Sequence, residues 1–144
     1  MNQAYYKEYY HIERKHWWFL VRNQIIMNHL RRQLNNSRPL KVLNIGVATG
    51  RTSELLTEFG PVKSVEYDQA CFEFTKAAVP SLDIIQGSIL ELPFEDQSYD
   101  LVCALDVIEH VEEHQLAVQE MQRVCKPDGI VCVTVPAFNF LWNQ

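Results

Sequence analysis

From Leu40 onward the chain alternates short apolar or β-branched runs with stretches of helical spacing. The runs are Leu40–Ile45, Val62–Glu66, Leu82–Ile85, Tyr99–Leu105 and Gly129–Val135, and each reads as a strand. Between them Thr52–Phe59, Gln69–Val79 and Val111–Val124 read as helices. The last stops before Lys126-Pro127-Asp128-Gly129, a turn signal, since Pro fixes φ and Gly permits positive φ. Upstream, Trp17, Leu20, Val21, Ile25, Met27, Leu30 and Leu34 recur at helical spacing. They predict an amphipathic helix that ends near Asn35-Asn36-Ser37 and is broken at Arg38-Pro39. Continuous apolar strands alternating with helices predict an α/β fold, a doubly wound parallel sheet covered on both faces. Ligands of such sheets bind at the carboxyl ends of the strands, where strand order reverses.

Length and composition narrow this picture. The 144 residues suit one core that needs no staple. Residues 1–38, rich in Tyr, Trp, Arg and Asn, read as a helical cap on a core of residues 39–144. A formal charge of −5 gives no general attraction to nucleic acid, and Arg31, Arg32 and Arg38 read as a solvated helix end. Cys71, Cys103, Cys125 and Cys132 form no C-x-x-C pair and have no His at zinc-ligand spacing, so no metal is expected. No leader-like start and no run long enough to span a membrane is found, which makes the cytoplasm the expected location.

Chemistry concentrates first at Leu43-Asn44-Ile45-Gly46-Val47-Ala48-Thr49-Gly50-Arg51, between a predicted strand and a predicted helix. Gly46 and Gly50 allow a tight turn and close approach of a ligand to the backbone. Any strand-to-helix turn can use glycine, so the stretch alone is weak. It also fails the dinucleotide pattern G-x-G-x-x-G, because Ala48 and Arg51 stand at the second and third glycines.

The stretch resembles the motif of class I (Rossmann-like) S-adenosylmethionine-dependent methyltransferases: an acid, then three glycines at alternate positions. Asn44 stands at the acid, Gly46 and Gly50 match, and Ala48 replaces the middle glycine. Val65-Glu66-Tyr67-Asp68 supplies the family's acid at the end of the second strand. Gln86 to Asp100 resembles the segment G-D-x-x-x-L-P-F-x-x-x-S-F-D, with Ser88 where the family has an acid. Val107-Ile108-Glu109-His110-Val111 matches the V-x-E-H-V signature of the ubiquinone-biosynthesis-like small-molecule methyltransferases. His16-Trp17-Trp18-Phe19 with Arg22 resembles the H-W-W-F-x-x-R opening of a bacterial subgroup. The resemblance implies S-adenosylmethionine as cofactor and strand order 3-2-1-4-5. It implies that Glu66 accepts the ribose hydroxyls, Tyr67 lies on the adenine, and Ser88 and Ile89 contact the adenine edge. Asn44, Gly46, Ala48, Gly50 and Leu105 complete the implied cofactor site. Asn44, Ala48 and Ser88 depart from the pattern and remove two charges. The cofactor's amino group and adenine are then held less strongly, since a hydrogen bond to a charged group is worth about 1.5–3 kcal/mol against about 1 for a neutral one.

A small-molecule acceptor is expected as partner, with neither nucleic acid nor a membrane. For a hydroxyl acceptor His110 is the candidate general base; it reads equally as a polar residue that fixes a loop. The family continues with two further strands, so the chain is expected to be C-terminally truncated, with an incomplete core. Its fifth strand is then an exposed apolar edge through which it homo-oligomerises, or which Phe138, Phe140 and Trp142 cover. Two rival readings stay open: a cofactor-binding but catalytically silent module, and a non-enzymatic interaction domain on a degenerate fold. Titration with S-adenosylmethionine separates the last from the others.

Overall fold

The computed structural model describes residues 3–34 and 37–137, so Asn35-Asn36 and the Phe138, Phe140 and Trp142 tail lie outside the described residues. Two helices come first, α1 over Gln3–Lys15 and α2 over Trp17–Gln33. Strands β1 (Val42–Ile45), β2 (Val62–Glu66), β3 (Asp83–Gln86), β4 (Tyr99–Leu105) and β5 (Cys125–Thr134) then alternate with helices. These helices are α3 (Arg51–Leu56), α4 (Gln69–Ala78) and α5 (His114–Val124). The sheet has the order β3-β2-β1-β4-β5, and every pairing is parallel. The expected fold class and strand order are both present.

Alternation along the central strands splits the core. Leu101, Cys103 and Leu105 of β4 pack with Val42, Leu56, Ile26, Met27 and Leu30 on the α2–α3 side. Val102 and Ala104 pack with Leu43, Ile45, Ala117, Met121 and Val124 on the α5 side. Every residue of β1 and β4 is buried, which explains why their sequences are apolar on both faces apart from Asn44 and Asp100.

Four departures from the sequence reading have physical causes. The segment before Trp17 forms a second helix, because Tyr6, Tyr10 and Glu13 fall on one face of it and reach the core domain. In α2 the buried face is Asn23, Ile26, Met27 and Leu30, while Trp17, Leu20, Val21 and Ile25 point outward. Apolar residues surround most of this helix, so periodicity alone did not select the buried side. The third loop region is not helical from Val111; Ile108–His110 forms a 3-10 turn and α5 starts at His114. Finally, Lys126–Gly129 is no turn before β5 but an irregularity inside it, since Tyr99 pairs with Cys125 and Leu101 with Ile130. Gly129 permits this approach; a Cβ there would lie 2.9 Å from the Asp100 carbonyl oxygen and 3.0 Å from that of Lys126.

Candidate functional site

A cavity of about 640 Å³ opens at the carboxyl ends of β2, β1 and β4. This is the place where a doubly wound sheet reverses its strand order and presents ligand-binding loops. The loop after β1 forms its floor. Gly46 takes φ +69 there, and a Cβ would lie 2.3 Å from Val107 Cγ2, so only glycine fits. Ala48 follows with φ +47, a left-handed conformation that L-residues adopt at a cost. Its carbonyl is held by Thr75 Oγ1 at 2.7 Å and by Cys71 Sγ at 3.2 Å. Burial and the nearby carboxylates Glu66 and Asp68 push the Cys71 thiol up to about 12.

Glu66 ends β2, is 8% exposed and lines the cavity. One carboxylate oxygen accepts from the Ala48 N–H at 3.1 Å, the other from the Asp68 N–H at 3.0 Å. Its acidity falls, because burial raises the pKa more than these N–H groups lower it. The Tyr67 N–H also acts on it, and since a carboxylate offers about four acceptor positions the group can still accept from a ligand hydroxyl. Next to it Tyr67 is 76% exposed and free to lie across a flat ligand.

The far wall comes from Gly87, Ser88, Ile89 and Leu90 after β3. The Ser88 hydroxyl accepts from the Leu90 N–H at 3.1 Å and keeps its own proton to donate. On the other side stand Asp106, Val107, His110 and Val111 after β4. Helix α1 closes the cavity with Tyr5, Tyr6 and Tyr9. It is fastened by the Tyr6 hydroxyl to Asp68 at 2.8 Å and by Arg14 to Glu54 at 2.9 Å and to the Thr49 carbonyl at 3.2 Å. The buried Glu13 accepts from the Thr49 hydroxyl. Desolvation raises the Glu13 pKa.

The structure therefore brings Gly46, Ala48, Glu66, Tyr67, Ser88, Ile89 and His110 together around one cavity. Asn44, Gly50 and Leu105 do not line it. Asn44 is 1% exposed, and its amide donates to Thr52 Oγ1 at 3.0 Å and Ser53 Oγ at 2.9 Å beneath the loop. Its Oδ1 has no hydrogen-bond partner among the described residues. Gly50 opens α3 against Leu82 and Thr75, and Leu105 belongs to the core on the α2 side. The tyrosines of α1 and the carboxylate of Asp106 were missed by sequence reasoning. The spacing of Tyr5, Tyr6, Tyr9, Tyr10 and Glu13 was the available signal for the helix. Among the described residues no cluster of three His, Cys, Asp or Glu is placed to hold a metal, and no helix is long and apolar enough to cross a membrane.

Comparison with known proteins gives matches. Residues 43–133 match the family model described as methyltransferase domain. A "Probable S-adenosylmethionine-dependent methyltransferase" of Mycolicibacterium smegmatis is 34% identical over 96 residues, which cover 66% of this chain and 37% of the relative. A demethylmenaquinone methyltransferase of Staphylococcus aureus is 29% identical over 116 residues, 72% of this chain and 48% of the relative. The chain thus spans less than half the length of these curated relatives. Among solved structures, a Methanococcus maripaludis protein provisionally assigned as an S-adenosyl-L-methionine-dependent methyltransferase superposes with a TM-score of 0.77 at 19% identity, over 93% of this chain and 64% of that one. The [4+2]-cyclase SpnF superposes with a TM-score of 0.71 at 18% identity, over 82% and 46%. At such identities the likeness concerns the fold.

Proposed function

The chain belongs to the methyltransferase-domain family, with the class I Rossmann-like fold and S-adenosylmethionine as the family's cofactor, and from that premise we propose that it is the cofactor-binding part of an enzyme that methylates a small molecule. The observation that carries this reading is Glu66: a buried carboxylate, held by backbone N–H groups, in the lining of the cavity. That arrangement fits a ribose diol, which presents two adjacent donors.

The other residues follow from their places around the cavity. Glu66 receives the ribose hydroxyls, and Tyr67 stacks on the adenine from the open side. Ser88 donates to the adenine edge while Ile89 packs beneath it. Gly46 and Ala48 bring the backbone close to the sulfur. When bound, the cofactor supplies an electrophilic methyl group on a sulfonium, so the protein's task is alignment and exclusion of water. The tyrosines of α1 roof the cavity and exclude water. His110, exposed at the rim, is placed to take a proton from a hydroxyl acceptor. The demethylmenaquinone relative gives the idea of a small-molecule acceptor its support.

Isothermal titration tests the reading. S-adenosylmethionine and S-adenosylhomocysteine are expected to bind the chain, and Glu66→Gln to weaken both by about tenfold or more, the value of a hydrogen bond to a charged group. A folded chain that binds neither would exclude the proposal.

A further inference from the structure

The proposed cofactor site leaves one group unassigned. S-adenosylmethionine carries an amino-acid end whose ammonium needs an acceptor, and Asn44, the residue that the resemblance assigns to it, does not reach the cavity. Glu66 and Asp68 reach it in fixed geometry at the β2 end, on the ribose side, and at the β4 end Asp106 does so. Asp106 follows the last residue of β4 and lines the cavity beside Val107, which itself packs on Gly46. It adopts φ +56, and its backbone N–H donates to the Thr134 carbonyl at 3.0 Å. One carboxylate oxygen accepts from Thr134 Oγ1 at 2.7 Å, and the other pairs with Arg22 at 2.7 Å. Asp106 is thus clamped between the end of β5 and α2. Arg22 is the arginine of the H-W-W-F-x-x-R stretch, to which the methyltransferase reading gives no task.

Position agrees with the role. Glu66 ends β2 and Asp106 follows β4, with β1 between them. Two inter-strand spacings of about 4.8 Å separate these strands, roughly 10 Å in all. A nucleoside held at Glu66 and lying across Gly46 directs its extended side chain toward Asp106. Glu112 and Glu113 also line the cavity, but they are exposed and neither makes an ion pair among the described residues. A carboxylate already fixed by two partners loses less freedom on binding than a solvated one.

We propose that Asp106 binds the ammonium of the cofactor's amino-acid end, and that Arg22 is the positioning residue that holds Asp106 for it. This rests on the methyltransferase reading. Both carboxylate oxygens retain lone pairs beyond those given to Arg22 and Thr134, so the ammonium adds to the network rather than displacing it.

Two probes isolate the contact. S-adenosylhomocysteine has the amino-acid end; 5′-methylthioadenosine has the same nucleoside thioether without it. Titration calorimetry with both is run on the wild-type chain and on Asp106→Asn, Arg22→Gln, Arg22→Lys, Glu112→Gln and Glu66→Gln. Asparagine keeps the shape of Asp106 and tolerates the left-handed backbone. Asp106→Asn is expected to weaken S-adenosylhomocysteine by about tenfold or more and to leave 5′-methylthioadenosine unchanged. Arg22→Gln follows in the same direction with a smaller loss, Arg22→Lys recovers part of it, and Glu112→Gln has no effect. Glu66→Gln weakens both probes. An Asp106→Asn variant that binds S-adenosylhomocysteine as the wild type does would overturn the proposal, as would one that weakens both probes equally. Failure of the folded wild type to bind either probe overturns the methyltransferase reading and this proposal together.

Discussion

At the scale of single residues, Glu66 and Ala48 carry opposite lessons. Glu66 was singled out by the family resemblance, and the structure puts it in the lining of the cavity. Its burial raises its pKa, so it takes up a proton at higher pH than a solvated glutamate, near 4.3. Protonation removes lone-pair capacity, and cofactor affinity should fall as the pH drops toward that raised value, a decline that Glu66→Gln lacks. The same shift has the reverse sign for stability. The native state binds this proton more tightly than the unfolded chain, so Glu66 opposes folding at neutral pH and the cost disappears in acid. Ala48 was read as a methyl at a close approach, and the structure adds a backbone cost at φ +47. Ala48→Gly should relieve the left-handed strain while paying some chain entropy, leaving the protein about 0.5–1 kcal/mol more stable by chemical denaturation. Asp106 was illegible because it meets the cavity only through tertiary packing, whereas the spacing around Tyr9 marks a helix and says nothing of the cavity that the helix covers.

At the scale of elements, the buried strands were plain and the amphipathic surface was not. β1 and β4 are apolar apart from Asn44 and Asp100 because helices cover both faces, and that pattern has few alternatives. α2 offers apolar residues on too many sides for its spacing to identify the buried one. The start of β5 was hidden because Pro127 and Gly129 signal a turn, whereas pairing with Tyr99 and Leu101 keeps them inside a strand. Asp100 holds this irregular end. It accepts from both guanidinium nitrogens of Arg38, from the Lys41 N–H at 2.8 Å and from Lys126 at 2.9 Å. These partners hold its pKa far below the usual carboxylate range, with Arg38 the leading cause. A depressed pKa stabilises the fold above the unfolded value, near 3.9, and the gain is lost as the pH falls through the folded one. Asp100→Asn should therefore cost about 2 kcal/mol at neutral pH, as for loss of a charge-assisted hydrogen bond. Urea unfolding at pH 7 and pH 3 checks this, and the gap between wild type and variant should narrow at the lower pH.

At the scale of the whole molecule, the described surface is uneven. Val131 and Val133 are each 40% exposed along β5 and Val135, just after it, 52%, and β5 has no partner on its outer side among the described residues. On α2, Ile25 is 65% exposed, and an apolar cavity of about 360 Å³ separates it from β5. Unpaired strand N–H and C=O groups beside apolar side chains are a template for another strand. The sequence reading expected self-association through this edge, and we propose the same of the chain as it stands. Side-by-side pairing of two β5 strands would satisfy these groups and hide the valines, at about 25 cal/mol per Å² of apolar surface covered. The 144-residue chain should then show a concentration-dependent mass in light scattering. Val131→Lys places a charge on the exposed face of β5, opposite Val102 in register and away from the Thr134 end that holds Asp106. It should return the chain to a monomer and leave S-adenosylhomocysteine affinity unchanged, since Glu66, Ser88 and Asp106 all lie around the cavity at the strands' carboxyl ends. A wild-type chain that stays monomeric at every concentration tested would contradict the pairing. Loss of ligand affinity in Val131→Lys would instead show that the edge and the cavity are coupled.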